Sequence, residues 1–263
     1  MLRIGINGAA GRMGQRVAAL VSQADDLQLV VALECDGHPL LGRDAGELAG
    51  VGTLGVPITT GVDARPDVLI DFSTPESTVA RAANCAKIQT ALVVGTTGLD
   101  AGQVGALEAA ATAVPCVFAP NMSVGVNVLA KLVATAAKAL GPDYDIEVVE
   151  AHHRFKKDAP SGTALKLARA AADALNRRLD DVAVHGRHGR PGERTRTEIG
   201  LHAVRAGDLV GEHTVLFGGL GEHLELRHSA HSRDTFARGA LRAARFVAGK
   251  KPGLYSMEDV LGL

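Results

Sequence analysis

A chain of 263 residues, 46% of them hydrophobic, is long enough for one large domain or two modest ones, each with its own core. Its formal net charge of −1 leaves no global field to recruit nucleic acid or an acidic membrane. Cys35, Cys85 and Cys116 are odd in number and lack the paired spacing of disulfides or zinc sites, so they read as reduced, mostly buried thiols of a cytoplasmic protein.

The first predicted element is a strand, Leu2 to Asn7 (LRIGIN), which also leaves no sign of a signal peptide. The most apolar windows elsewhere read as short or broken by charge, so no membrane span is expected. The strand runs into Gly8-Ala9-Ala10-Gly11-Arg12-Met13-Gly14, after which Met13, Val17, Leu20 and Val21 follow a helical face. Gly8 supports a tight turn, Gly11 permits backbone approach to a pyrophosphate, and Gly14 allows close helix-on-strand packing. A second strand, Leu27 to Leu33, ends at Glu34, twenty positions after Gly14, where an acid can accept hydrogen bonds from an adenosine ribose. The glycine spacing alone is a weak signal, equally available to a plain turn. Its place between strand and helix, with Glu34 closing the next strand, favours a dinucleotide site.

Further β-α units follow: a strand Asp67 to Phe72, a helix Pro75 to Lys87, a strand Ala91 to Val94, a helix Asp100 to Ala113 and a strand Pro115 to Ala119. This alternation predicts a parallel sheet covered on both faces. The loops Gly95-Thr96-Thr97 and Ala119-Pro120-Asn121-Met122 then fall at strand ends, over the cofactor. A long amphipathic helix, Val124 to Leu140, leads away, and the chain changes character. Nine of the ten histidines lie beyond residue 150, and runs at Glu198 to Arg205, His213 to Phe217 and His223 to His228 predict a smaller mixed sheet. The stretch His185 to Arg194 is basic and glycine-rich and reads as an exposed connector, and a last helix spans Asp234 to Ala248.

Glu150 to Ala164 (EAHHRFKKDAPSGTA) carries the densest chemistry. Tyr144 to Glu150 alternates as a strand and delivers His152 and His153 to its C-terminal end. Pro160 breaks the chain, Ser161 is a good N-cap, and Leu165, Ala168, Ala172, Leu175 and Leu179 recur at helical spacing. The helix start at Ser161-Gly162-Thr163 suits a carboxylate or phosphate. Histidine exchanges protons near neutral pH, and Lys156 can donate a proton or hold an anion. Arg154, Lys157 and Asp158 could equally belong to a solvated loop. Adjacent strand residues point to opposite faces, so His152 and His153 do not form a zinc pair.

Taken together, Gly8 to Gly14, Gly95-Thr96-Thr97-Gly98, Asn121 to Asn127 (NMSVGVN) and Glu150 to Thr163 resemble the bacterial dihydrodipicolinate reductase family, from Leu2 to the C-terminus. The resemblance implies an α/β chain: a Rossmann-type parallel-sheet domain from residues 1–123 and 233–263, and a smaller α+β domain with a mixed sheet from residues 124–232. That second domain would bind the substrate and assemble a homotetramer. The implied reaction is NADH- or NADPH-dependent reduction of a small cyclic dicarboxylate, 4-hydroxy-tetrahydrodipicolinate, in lysine and diaminopimelate biosynthesis, without a metal. By resemblance His152 is proton donor and acceptor and Lys156 a second donor. His153, Ser161, Gly162 and Thr163 would hold substrate, and Lys157 would add attraction. Gly8, Ala9, Ala10, Gly11, Arg12, Met13, Glu34, Gly95, Thr96, Thr97, Ala119, Pro120, Asn121 and Met122 would hold the cofactor. Cys35 and Thr74 stand where members accepting NADPH usually carry basic residues, which predicts a preference for NADH, weakened if Arg12 or Arg43 reaches a 2′-phosphate. Two other readings keep part of the pattern: a related nicotinamide-dependent dehydrogenase, and a sensor that binds dinucleotide without chemistry.

Overall fold

The computed structural model describes residues 1–62 and 64–263. The chain begins β1 (Leu2–Asn7), α1 (Arg12–Ser22), β2 (Leu27–Leu33), α2 (Ala45–Ala49), β3 (Ile58–Thr59), β4 (Val68–Asp71), α3 (Pro75–Ile88), β5 (Ala91–Val94), α4 (Ala101–Ala111) and β6 (Pro115–Phe118). It continues through α5 (Val124–Leu140), β7 (Asp145–His152), α6 (Gly162–Ala174), α7 (Leu179–Val182), β8 (Ala183–His185), β9 (Ile199–Arg205), β10 (Gly211–Gly218) and β11 (His223–Ala230). It ends with α8 (Asp234–Val247), β12 (Gly253–Tyr255) and α9 (Met257–Leu261). Two compact units result, Met1–Val124 with Arg233–Leu263, and Gly125–Ser232.

In the first unit the seven strands are ordered β12-β6-β5-β4-β1-β2-β3, with every neighbouring pair parallel. Parallel strands are buried on both faces and so read as unbroken apolar runs, as β4 (VLID) and β5 (ALVV) do. One face packs on α1 and α8 through Val17, Leu20, Val21, Leu241 and Val247, and the other on α3 and α4 through Ala82, Cys85, Leu107 and Ala111. Strand order reverses between β1 and β4, the switch point where open parallel sheets leave a crevice at their carboxyl ends.

The glycine turn after β1 opens into this crevice. Gly8 has φ of 80°, and a Cβ there would lie 2.4 Å from Phe72 O. A Cβ on Gly14 would lie 2.1 Å from Gly8 O and 2.7 Å from Ala9 Cα, both backbone atoms that cannot rotate away. Gly14→Ala should therefore push α1 off the turn, costing roughly 1–3 kcal/mol and weakening dinucleotide binding. Thermal unfolding and NADH titration check this; unchanged values would contradict the packing role.

The second unit is a five-stranded mixed sheet ordered β11-β10-β7-β9-β8. β7 pairs parallel with β9 and antiparallel with β10. Its residues alternate, so Ile146, Val148, Glu150 and His152 face the core while Val149 is exposed. Leu129, Val133 and Ala137 of α5 and Leu167, Ala168 and Ala171 of α6 fill that core with Val215 and Phe217 of β10.

One expectation changes and two are refined. The helical pattern from Ser161 to Leu179 is two helices: Asn176 takes a left-handed φ of 54°, Arg177 N donates back to Ala172 O at 2.9 Å, and the chain restarts at Leu179. The stretch after His185 is the exposed loop expected, and it is also anchored. Arg187 and Arg194 tie it to Asp145, Glu147 and Glu198, and burial of Glu147 is outweighed by Arg187, His202 and Arg194, which hold its carboxyl down to about 2. One apolar window, interrupted by Lys131 and Lys138, is nevertheless long. The helical stretch Val124–Asp143 is long and apolar enough, at mean hydropathy 1.4, to cross a membrane by length and composition; the α5 residues named above face the core of the second unit.

Candidate active site

β7 and the turn after it place the histidines and the lysine that the sequence singles out. Glu150 and His152, two residues apart on one strand, share the core-facing side. His152 Nδ1 lies 2.6 Å from Glu150 Oε2, with Glu150 fully buried. Arg205, at the end of β9, grips the same carboxylate with both terminal nitrogens, each at 2.8 Å, and Ser161 N donates to Oε1 at 3.0 Å. Burial opposes the charge on Glu150, but Arg205, His152 and Ser161 outweigh it and hold its carboxyl below the usual range. Burial pushes the His152 imidazole below its ordinary value, Glu150 partly offsetting this and Lys156 and Arg205 adding to it. His213 of β10 stacks edge-on against His152 at 5.1 Å between centroids, and desolvation, then His152, pushes it down to about 4.

After β7 the chain turns away: His153 N donates to Leu209 O at 2.8 Å, and Lys156 N to His153 O at 3.1 Å. His153 Nδ1 is buried without a hydrogen-bond partner among the described residues. Lys156 Nζ donates to Asp158 Oδ1 at 2.8 Å, while Arg154 and Lys157 are exposed. Ser161 is the N-cap of α6, its Oγ accepting from Ala164 N at 3.1 Å and lying 3.0 Å from His213 Nε2. Gly162 and Thr163 form the first helical turn, with Gly162 exposed and open space where a Cβ would stand. In the second unit, then, His152 and Ser161 meet on one carboxylate, with Lys156 held in the intervening loop.

In the first unit a cavity of about 440 Å³ opens at the crevice, lined by the expected Arg12, Met13, Gly95, Thr96, Thr97, Pro120 and Met122. Gly8, Ala9 and Ala119 are buried beside it, Gly11 is the N-cap of α1, and Asn121 Oδ1 accepts from Ser123 N at 2.9 Å. Ala10 N donates to Glu34 Oε1 at 2.9 Å, joining the turn to the acid at the end of β2. Phe72, Ser73, Arg233 and Phe236 also line the cavity and escaped the sequence reading. Phe72 and Ser73 follow β4 and were detectable as a strand end; Arg233 and Phe236 lie far along the chain without a motif. Beneath the cavity, buried Asp71 accepts from Ser73 Oγ at 2.6 Å, Thr96 Oγ1 at 2.9 Å and Asn7 Nδ2 at 3.1 Å. The glycine turn, the uncapped start of α1, two arginines and Glu34 fit a dinucleotide: donors and cations for a pyrophosphate, an acceptor for ribose hydroxyls. Among the described residues no cluster of three or more His, Cys, Asp or Glu side chains is arranged to hold a metal ion.

Residues 2–122 match the family described as dihydrodipicolinate reductase, N-terminus, and residues 125–261 the one described as dihydrodipicolinate reductase, C-terminus. The chain is 54% identical over 264 residues to the 4-hydroxy-tetrahydrodipicolinate reductase of Alkalilimnicola ehrlichii, spanning 99% of both chains. It is 49% identical to the protein of that name from Syntrophus aciditrophicus, over 100% of this chain and 99% of that one. Among solved structures, a dipicolinate-bound dihydrodipicolinate reductase from Paenisporosarcina sp. TG-14 superposes with TM-score 0.77 at 27% identity, covering 98% of each chain. A sheet-order switch point, a fitted dinucleotide crevice and full-length likeness at both levels agree: the chain belongs to the dihydrodipicolinate reductase family, pyridine-nucleotide-dependent oxidoreductases of lysine biosynthesis.

Proposed function

We propose that this chain reduces 4-hydroxy-tetrahydrodipicolinate, by way of dihydrodipicolinate, to tetrahydrodipicolinate, with His152 and Lys156 supplying protons. The observation that carries the reading is buried His152 hydrogen-bonded to Glu150, whose carboxylate also accepts from Ser161 N at the start of the α6 helix. When bound, the reduced nicotinamide supplies a hydride to C4 of the conjugated cyclic imine left after loss of water. Negative charge then builds along the conjugated system and must be met by a proton and by fixed positive charge. His152, with Nδ1 on Glu150, presents Nε2 as the donor. Lys156 adds a cation and a second proton, and its tether to Asp158 limits its wandering. Gly162 and Thr163 offer first-turn N–H groups to a substrate carboxylate, and His153 is an additional contact.

The first unit is read as the dinucleotide domain and the second, from about residue 124 to 232, as the substrate domain. Gly8 to Met13 take the pyrophosphate with Arg12, and Glu34 takes the adenosine ribose, its anion repelling a 2′-phosphate. Gly95, Thr96, Thr97 and Ala119 to Met122 border the nicotinamide end. Thr74 Oγ1 accepts from Ser77 N as the α3 cap, and Cys35 is not a basic residue, so neither supplies the cation a 2′-phosphate needs. NADH is therefore the preferred coenzyme. The outer face of the second sheet exposes Val149 and Val204, which suits packing against another copy in a homotetramer. Buried free thiols at Cys85 and Cys116, both pushed up to about 12 by burial, suit the cytoplasm.

The test is substrate-dependent oxidation of NADH beside NADPH. We expect turnover with both and a higher kcat/KM for NADH; no substrate-dependent oxidation by protein that binds NADH would overturn the reductase reading in favour of a sensor, and equal values would remove the preference.

A further inference from the structure

The core-facing side of β7 carries an acid, Glu150, between Val148 and His152, an unusual occupant of a buried strand position. Glu150 is fully buried, yet every direction around its carboxylate is filled by a donor: His152 Nδ1, both terminal nitrogens of Arg205, and the backbone N–H of Ser161. Arg205 also donates to Asp158 O at 2.6 Å, in the loop that carries Lys156. A buried ion pair is weak evidence for stability, because apolar replacements of similar volume often do as well. Its presence here calls for another reason.

We infer that Glu150 is a positioning residue for the reduction: it fixes the proton of neutral His152 on Nδ1, stabilises the imidazolium, and holds the start of α6 in register with the donor. This rests on the reading of His152 as proton donor. Oε2 accepts from His152 and Arg205 and Oε1 from Ser161 and Arg205, so the two oxygens serve the proton donor and the helix start separately. In the step itself the Nε2–H bond of the imidazolium breaks and its electron pair stays on Nε2. The proton bonds to the substrate carbon adjacent to the reduced centre, and Nδ1–H remains on Glu150 throughout. Gly211 of β10 makes room for this pose, because a Cβ there would stand 3.0 Å from His152 Nε2.

Glu150→Gln tests the idea with an isosteric side chain. Its NH2 group would meet two groups at either position, His152 Nδ1 and one Arg205 nitrogen at Oε2 or Ser161 N and the other Arg205 nitrogen at Oε1, but of these only His152 Nδ1 can change from donor to acceptor, which favours Oε2. Placed at Oε2 it turns Nδ1 into an acceptor and moves the imidazole proton to Nε2. The charged and titratable groups facing His152 are Glu150 on β7, Arg205 on β9, His213 on β10, and Lys156 in the following loop. Of these only Glu150 favours the imidazolium, so its loss lowers the His152 pKa further, and kcat falls off with rising pH at a lower pH than in wild type. The expected outcome is a kcat reduced by about a hundredfold at neutral pH, NADH affinity unchanged, and the alkaline limb displaced downward. Nitrogen-15 spectra of histidine-labelled protein, the His152 signal assigned by its loss in His152→Ala, should show Nδ1–H in neutral wild type and Nε2–H in Glu150→Gln. That readout needs no turnover, so it separates failure of this inference from failure of the assigned reaction. Gly211→Ala, which presses on Nε2 and leaves Glu150 in place, should lower kcat without moving the limb. An unchanged tautomer and an unmoved limb in Glu150→Gln would overturn the inference and leave Glu150 a structural ion pair.

Discussion

His152→Ala should lower kcat by about 10³-fold, within the range for removing a positioned general acid, while leaving the Kd for NADH within twofold of wild type. The selectivity follows from placement: His152 belongs to the unit Gly125–Ser232, whereas the glycine turn, Glu34 and the crevice belong to the other. The pH dependence has a definite sign. His152 must carry its proton to donate it, and burial, only partly offset by Glu150, holds its pKa below the ordinary value. Wild-type kcat should therefore be full below that depressed pKa and decline as pH rises through it, and His152→Ala should lose this limb with the activity. A variant that keeps the limb would assign it to another group.

Lys156→Ala should lower kcat by about 10²-fold and raise the KM for the dicarboxylate substrate, again with little change in NADH affinity. Its ammonium is held 2.8 Å from Asp158 Oδ1 in a loop whose ends are fixed, by the His153 pairing with Leu209 on one side and by Ser161 on Glu150 on the other. A cation so placed meets developing charge without first having to be ordered. Lys156→Arg should recover attraction for the anionic substrate and little of the rate, because a guanidinium does not readily give up a proton. Steady-state kinetics with all three proteins decides this; unchanged turnover in Lys156→Ala would remove it from the chemistry.

How much of this was legible in the sequence depends on how local each signal is. Strand, glycine turn and helix at the N-terminus were readable because tight turns and close packing leave a residue-by-residue record, as Gly8 and Gly14 do. β2 begins and ends where the apolar run does. Short edge strands were not readable: β3 has two residues and β12 three, and their pairing with β2 and β6 is made by sequence-distant partners. The left-handed turn at Asn176 was hidden inside a helical periodicity that continues by coincidence to Leu179. Phe236 and Arg233 reach the cavity through the fold, not through a motif. Glu150 stood in plain view within the alternation Ile146, Val148, Glu150, His152; an acid in an apolar register was the available signal, and its partner Arg205 was invisible because strand pairing alone brings β9 beside β7.

The most direct measurement of the central claim is the initial rate of NADH oxidation with freshly generated 4-hydroxy-tetrahydrodipicolinate, comparing wild type, His152→Ala and Lys156→Ala at equal NADH occupancy. Substrate-dependent oxidation by wild type that collapses in both variants is the predicted result. Oxidation that survives in both, or its absence in wild type that binds NADH, would contradict the assignment of proton transfer to these two residues.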